Sequence, residues 1–347
     1  MDLYREQNAR NVRTCPLALR LAGALAVLSI FATPTSAAES SAHIDEYFGT
    51  CDASAAVAVD SSHFLMASDE DSVLRLYLVG KFDAPEQVFD MSSFLQLEAR
   101  KPETDIEAAT RVGDRVYWIS SHGRSAVGHY RPNRERFFAT TIRTNNGAIS
   151  VEPEGKPYSR LLEDLLEAPG LKAYKLRAAS KRAPKDPGGL NIEGLCGAPD
   201  GHLLIGFRNP LPHGRALIVP LLNPLRTVLG DRAELGDPQE LDLGGLGIRD
   251  LALVGGKYLI VAGPTGLEPH GELFLWSGGK DAPVRLRRTS LLDLNPEAAI
   301  IYPSAGLRRF QILSDDGMRM FDGCECKHLP DVSRRRFRSV WISLDGR

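Results

Sequence analysis

Short apolar runs separated by Gly/Asp turns recur along the chain from about residue 53 onward. DIEAATRVGDRVYWISSHGR (105–124), NIEGLCGAPDGHLLIGFRNP (191–210) and GIRDLALVGGKYLIVAGPTG (247–266) each read as two strands around a turn. In each, the second strand is rich in β-branched or aromatic residues. ASAAVAVDSSHFLMASDED (53–71) and PEAAIIYPSAGLRRFQILSDDG (296–317) fit the same template more loosely, and further apolar runs such as VLRLYLV, RALIVPLL and GELFLWSG follow several of the pairs. Aligning the turns makes Ser54, Glu107, Glu193, Arg249 and Glu297 equivalent, with separations of 53, 86, 56 and 48 residues. A period near 50 with about four short strands per unit predicts a β-propeller. A β-sandwich would account for the alternation but not for the repeat. The expected fold is all-β, a propeller of five or six four-stranded blades.

The 86-residue step is longer than the period, and its excess falls in residues 144–188. There SRLLEDLLEA (159–168) puts Leu161, Leu162, Leu165 and Leu166 on one helical stripe, with Ser159 placed to cap it and Pro169 to stop it. The basic run KAYKLRAASKRAPK (172–185) follows. Residues 144–188 are therefore expected to be a helical, basic insertion, a flap over one face or else a degenerate sixth blade.

Residues 1–38 read as a secretory signal. Arg5, Arg10, Arg13 and Arg20 lead into LAGALAVLSIFA (21–32), and TPTSAAES then offers cleavage near Ala37 or Ala38. The apolar run is shorter than the roughly 20 residues a spanning helix needs, and no later segment is a candidate span. The mature chain, 39–347, is expected to be one periplasmic or secreted domain. It carries 38 basic against 42 acidic residues, which argues for neither nucleic acid nor an anionic membrane as partner. Its four cysteines are Cys51, Cys196, Cys324 and Cys326. An oxidising compartment permits a bond between Cys51 and the CEC pair that would clasp the two ends, while Cys196 reads as a buried apolar residue.

GLNIEGL…LLIGFRNPLPHGRALIV, GIRDLAL…YLIVAGPTG and YWISSHGR together resemble an exported bacterial family, domain of unknown function 3616, from about residue 50 to 320. That family looks like a distant relative of phytase-like esterase propellers, which also carry an acidic residue at blade starts. The resemblance implies a propeller and supplies no reaction.

In an antiparallel blade the start of the first strand and the end of the second lie at one edge. One face should therefore collect Glu107, Glu193, Arg249, Asp250 and Glu297, joined by Asp52, with Asp69, Glu70, His122, Arg124, Arg208, Asn209, Asp315 and Asp316 on the following loops. Carboxylates gathered around an axis raise one another's pKa unless a cation joins them. Glu107, Glu193 and Glu297 are thus candidate ligands for Ca²⁺ or Mg²⁺. Inter-blade hydrogen bonds and ion pairs to Arg249 are the alternative use of the same acids. His122 is the candidate acid/base, and Arg124, Arg208, Asn209, Arg249 and Asp250 are candidate ligand-binding residues. No Gly-x-Ser-x-Gly elbow, H-E-x-x-H, P-loop or dinucleotide fingerprint is present. Two functions fit: a propeller that binds an unknown small molecule or protein on this face, or a metal-assisted hydrolase of an ester, lactone or phosphoester.

Overall fold

The computed structural model describes residues 44–98, 103–266, 268, 270–286, 291, 293–303 and 305–344. The segment read as a signal, with Cys15 in it, lies outside the described residues. An N-terminal strand β1 (Ile44–Phe48) precedes the first blade, β2 (Ala55–Ala58), β3 (His63–Ala67), β4 (Val73–Leu78) and β5 (Gln87–Asp90). Blade two is β6 (Ile106–Val112), β7 (Arg115–Ser120), β8 (Phe137–Asn145) and β9 (Ala148–Tyr158). Blade three is β10 (Asn191–Gly197), β11 (Leu203–Asn209), β12 (Ala216–Leu221) and β13 (Gln239–Leu241). Blade four is β14 (Gly247–Val254), β15 (Lys257–Gly263), β16 (Glu272–Trp276) and β17 (Val284–Arg285). Blade five holds β18 (Pro296–Ile300) and β19 (Arg309–Ser314). After a small hairpin of β20 (Met320–Phe321) and β21 (Cys324–Glu325), it is completed by β22 (Arg336–Ser343).

Every blade is an antiparallel four-stranded sheet, and β2, β6, β10, β14 and β18 pack around the axis. The propeller thus has five blades. The circle closes because β1 supplies the outermost strand of blade five, pairing with β22 from Ile44 opposite Val340 to Phe48 opposite Arg336. A disulfide from Cys51 to Cys326, bridging 275 residues, adds a covalent clasp between the two ends. Cys196 is a buried free thiol. Between blades, aromatic and branched side chains fill the wedges: Trp118 and Phe138 pack with Leu65 and Leu76 of blade one, and Trp276 with Ile218 of blade three. Among the described residues no helix is long and apolar enough to cross a membrane.

Residues 144–188 divide into two parts. The first completes blade two, because β8 and β9 form a long hairpin around Asn146 and Gly147, both at positive φ (49° and 81°). Asn-Gly is the dipeptide a two-residue hairpin turn of that kind demands. The helical part begins later, with a helix over Leu161–Glu167, a 3-10 stretch over Pro169–Tyr174 and a turn over Leu176–Ala179. Leu161 and Leu165 are buried against blades two and three. Arg160, not Ser159, occupies the capping position and gives no side-chain cap.

Candidate functional site

Glu107, Glu193, Arg249 and Glu297 share one local structure. In blades two to five the pairing between the first two strands shifts register at that residue: between Ile106 and Ala108, Ile192 and Gly194, Ile248 and Asp250, and Pro296 and Ala298. Each charged residue is the extra residue of a β-bulge, which re-aims one side chain while the strand on either side keeps its apolar register. A carboxylate at a strand mouth is tolerated because the bulge turns it out of the inter-blade core and toward the axis.

The axial charges are shared unequally. On the side of blades three and four they are paired. Arg208 Nη1 donates to Glu193 Oε1 at 2.8 Å, its Nε to Pro264 O at 2.8 Å and its Nη2 to Gly266 O at 2.5 Å. Arg249 lies 3.4 Å from Glu193 Oε2, binds Glu297 through Nη2, and donates from Nη1 to Asn295 Oδ1 at 2.6 Å. Arg249 and Glu193 are 2% and 3% exposed, so these ion pairs plug the axis. Burial first, then the neighbouring Arg208 charge, pulls the Arg249 pKa down from its usual value.

On the side of blades five, one and two, carboxylates crowd. Asp52, Asp69 and Glu70 each place an oxygen within 4.8 Å of the others, a spacing that admits one cation. Lys327 reaches Glu70 at 3.3 Å from outside the cluster. Burial, then the charges of Asp69, Asp315 and Glu70, pushes Asp52 up to about 11. Against its own burial, Asp315 is held below the usual range by a hydrogen bond to the Asp52 carboxyl and by the Gly317 N–H. Asp69 is raised by burial and by Asp315, Asp105 and Glu70. Glu107 is raised by burial and by Glu193, Asp105 and Asp69. Beside them Asp105, 3.0 Å from Arg134, is raised to about 7, chiefly by burial.

The sequence-derived candidates separate accordingly. Glu107, Glu193 and Glu297 face one axis, but two of the three are engaged by arginines, and the carboxylates spaced for a cation are Asp52, Asp69 and Glu70. Arg208 and Arg249 line a cavity of about 330 Å³ together with Lys185, Asn295 and Asp315. Arg124 instead donates to Ser180 O at 2.8 Å, and Asn209 to Pro184 O and Asp186 O at 2.8 and 2.7 Å, so both brace the helical insertion. Asp250 is buried and accepts the N–H groups of Leu251 and Ala299, at 2.8 and 2.7 Å, tying blade four to blade five. His122 is buried at φ 54° with Nδ1 2.7 Å from Ser120 O and Nε2 without a partner among the described residues. Burial lowers its pKa to about 4, so it is neutral at pH 7.

Lys185 was hidden in the basic run, whose charge alone gives no address; the hydrogen bonds of Asn209 and Arg124 carry it to the axis. The Asp52–Asp69–Glu70 cluster joins residues from two strand ends of blade one, and its legible signal was the DED run after HFLMAS. At the opposite end of the axis a cavity of about 730 Å³ is lined by small and apolar residues such as Ala58, Ala109 and Leu251 together with Asp60, Thr110 and Arg111.

A family model described as "Protein of unknown function (DUF3616)" matches residues 138–295, in agreement with the resemblance carried by the sequence blocks. No curated protein matches the chain. Among solved structures, Myxococcus xanthus glutaminyl cyclase is similar at 10% identity and a TM-score of 0.41, covering 87% of this chain and 96% of that one. A GH43 protein of Bacillus licheniformis matches at 11% identity and 0.42, covering 78% and 50%. A streptogramin B lyase matches at 6% and 0.36, covering 87% and 97%. Likenesses at this level carry no argument about what this chain does.

Proposed function

We propose that the protein is a binding propeller whose strand-start face takes a small ligand that brings positive charge to the axis. The observation that supports it is the unbalanced half of that face: Asp52, Asp69, Glu107 and Asp315 approach one another, Lys327 is the cation on their own side, Lys185, Arg208 and Arg249 act on Asp315 and Glu107 from the paired half, and burial raises the cost of the carboxylate charges. A cation seated there relieves repulsion that the folded chain otherwise carries. The disulfide fits an oxidising compartment, and with the basic and apolar leader we read the protein as exported, to the periplasm or beyond.

The test is thermal unfolding of the mature protein at pH 7.5 with Ca²⁺, Mg²⁺ or small amines, against sodium salts of matched ionic strength. Saturation at about 100 times Kd adds about 2.7 kcal/mol. No shift with any of these cations sinks the reading. So does a shift that survives Asp69→Asn unchanged.

A second reading is a metal-assisted hydrolase, favoured by the oxygens of Asp52, Asp69 and Glu70 lying within 4.8 Å of one another. A divalent cation held there by three carboxylates would supply a Lewis acid for an ester, lactone or phosphoester oxygen. Metal content by mass spectrometry after chelation and reloading, followed by a screen of those three substrate classes, separates the readings. Stoichiometric metal with turnover supports the hydrolase, and metal without turnover leaves the binding propeller.

A further inference from the structure

The two halves of the face adjoin. Asp315 lines the cavity beside Lys185, Arg208 and Arg249, and it also faces Asp52 of the acidic cluster. A ligand small enough for about 330 Å³, at the low end of small-molecule sites, meets carboxylates on one side and cations on the other. Lys185 is exposed and has no ion-pair partner among the described residues; Asp315 feels its charge without forming a hydrogen bond to it. Arg208 engages three of its N–H donors and Arg249 two, and a guanidinium has five.

A separate observation concerns acceptors. Among the described residues, Asn191 Oδ1, on a side chain 3% exposed, and the buried oxygen Asp69 Oδ1 have no hydrogen-bond donor, while Glu193 Oε2 has only Arg249 Nε, at 3.4 Å. Glu193 sits between Arg208 and Arg249, the two arginines that line the cavity, with Asn191 donating to its other oxygen at 2.5 Å. Buried acceptors without donors are rare in folded proteins and mark the place of a missing donor. A bare anion would add acceptors and leave them unsatisfied.

Resting on the reading of this face as a ligand seat, we infer that the ligand is a small dipolar molecule with an ammonium group and a carboxylate, of free amino-acid size. Its ammonium faces Asp69 and Glu107 and supplies N–H donors. Its carboxylate faces Lys185, with the free donors of Arg208 and Arg249 behind. Opposite charges at both ends of one small molecule satisfy both halves of the face, which neither a metal ion nor a simple anion does.

The test is calorimetric titration of the mature protein with the twenty free amino acids and with single-charge analogues, propylamine and propionate. At least one amino acid is expected to bind tenfold or more tighter than either analogue. Lys185→Ala, at an exposed position, should collapse that ratio to about one, and an unchanged unfolding midpoint confirms that the variant is folded. Glu107→Gln should weaken the amino acid and propylamine alike. If propylamine binds as tightly as every amino acid, or if Lys185→Ala keeps the preference, the dipolar ligand is overturned and the cation-seat reading stands. If amino acids and propylamine all fail to bind while Ca²⁺ binds, the dipolar ligand is again overturned. If no amine, amino acid or cation binds, both readings fall together.

Discussion

The two halves of the strand-start face start from the same repeat position and end in opposite electrostatic states. In blades three and four the bulge residues are Glu193 and Arg249. One repeat supplies the counter-charge of the next, and Arg208 completes a buried cluster in which each charge faces an opposite one. In blades five, one and two, Asp52, Asp69, Glu107 and Asp315 meet, with Lys327 on their own side and Lys185, Arg208 and Arg249 reaching Asp315 and Glu107 only from the border with the other half. The first half is held by its charges. The second is held in spite of them, by the Cys51–Cys326 bond next to Asp52 and by β1 closing blade five. A site that stabilises itself has little left to offer a ligand, whereas a site under repulsion gains free energy when a cation arrives.

The contrast breaks most sharply at Glu193. Glu193→Ala leaves Arg208 and Arg249 buried beside each other without their shared carboxylate, and a loss of about 3–5 kcal/mol is expected from chemical unfolding. A loss below about 1 kcal/mol would mean that the plug does not hold the blades. On the other half the covalent clasp is the support, so paired Cys51→Ser and Cys326→Ser substitutions should cost about 2–4 kcal/mol, with the same drop in the reduced wild-type protein. Stability indifferent to reduction would remove the clasp from the account. Asp250→Ala, which frees the buried Ala299 N–H, should cost about 1–3 kcal/mol. Unlike the Glu193 variant, it should leave the ligand seat's cation response intact.

The smallest effect has the opposite sign. Asp69→Asn replaces a carboxyl that burial and its acidic neighbours disfavour as an anion with a neutral amide, and should raise stability at pH 7.5 by about 1 kcal/mol. The same carboxyls set a pH dependence. Unfolded, they release their protons near pH 4. Folded, Asp105 is raised to about 7 and Asp52 to about 11, so the folded chain binds more protons and their contribution falls as pH rises above 4. Unfolding free energy should therefore decline from pH 5 to pH 8, a slope that saturating cation or the Asp69→Asn variant flattens. A slope that rises over that range would contradict the picture of an uncompensated half.

Much of this architecture was legible. The spacing of Ser54, Glu107, Glu193, Arg249 and Glu297 located all five blades, because each blade buries its faces with the same short strands and must repeat them. The face itself was legible for the same reason. The five-or-six ambiguity came from residues 144–188, where the Asn146–Gly147 turn marked a long hairpin of blade two rather than the start of an insertion. Glu297 and Arg249 were read as a metal ligand and a possible neutraliser, and the structure pairs them directly. Arg124 and Asn209 carried the right charge and polarity in the right loops, yet their hydrogen bonds go to backbone carbonyls of the insertion.

The sequence by itself determined the repeat, the strand order within each blade and the edge of the disc where charge collects, since all three follow from local periodicity and turn chemistry. Only the tertiary structure decided which charges neutralise each other. Glu193 and Arg249 are 56 residues apart in the chain and 3.4 Å apart in space, while Asp52 and Asp315 meet only because the two ends of the chain close the ring. Coulomb energies depend on those separations and on the burial around them, and neither quantity exists until the five blades have gone round the axis.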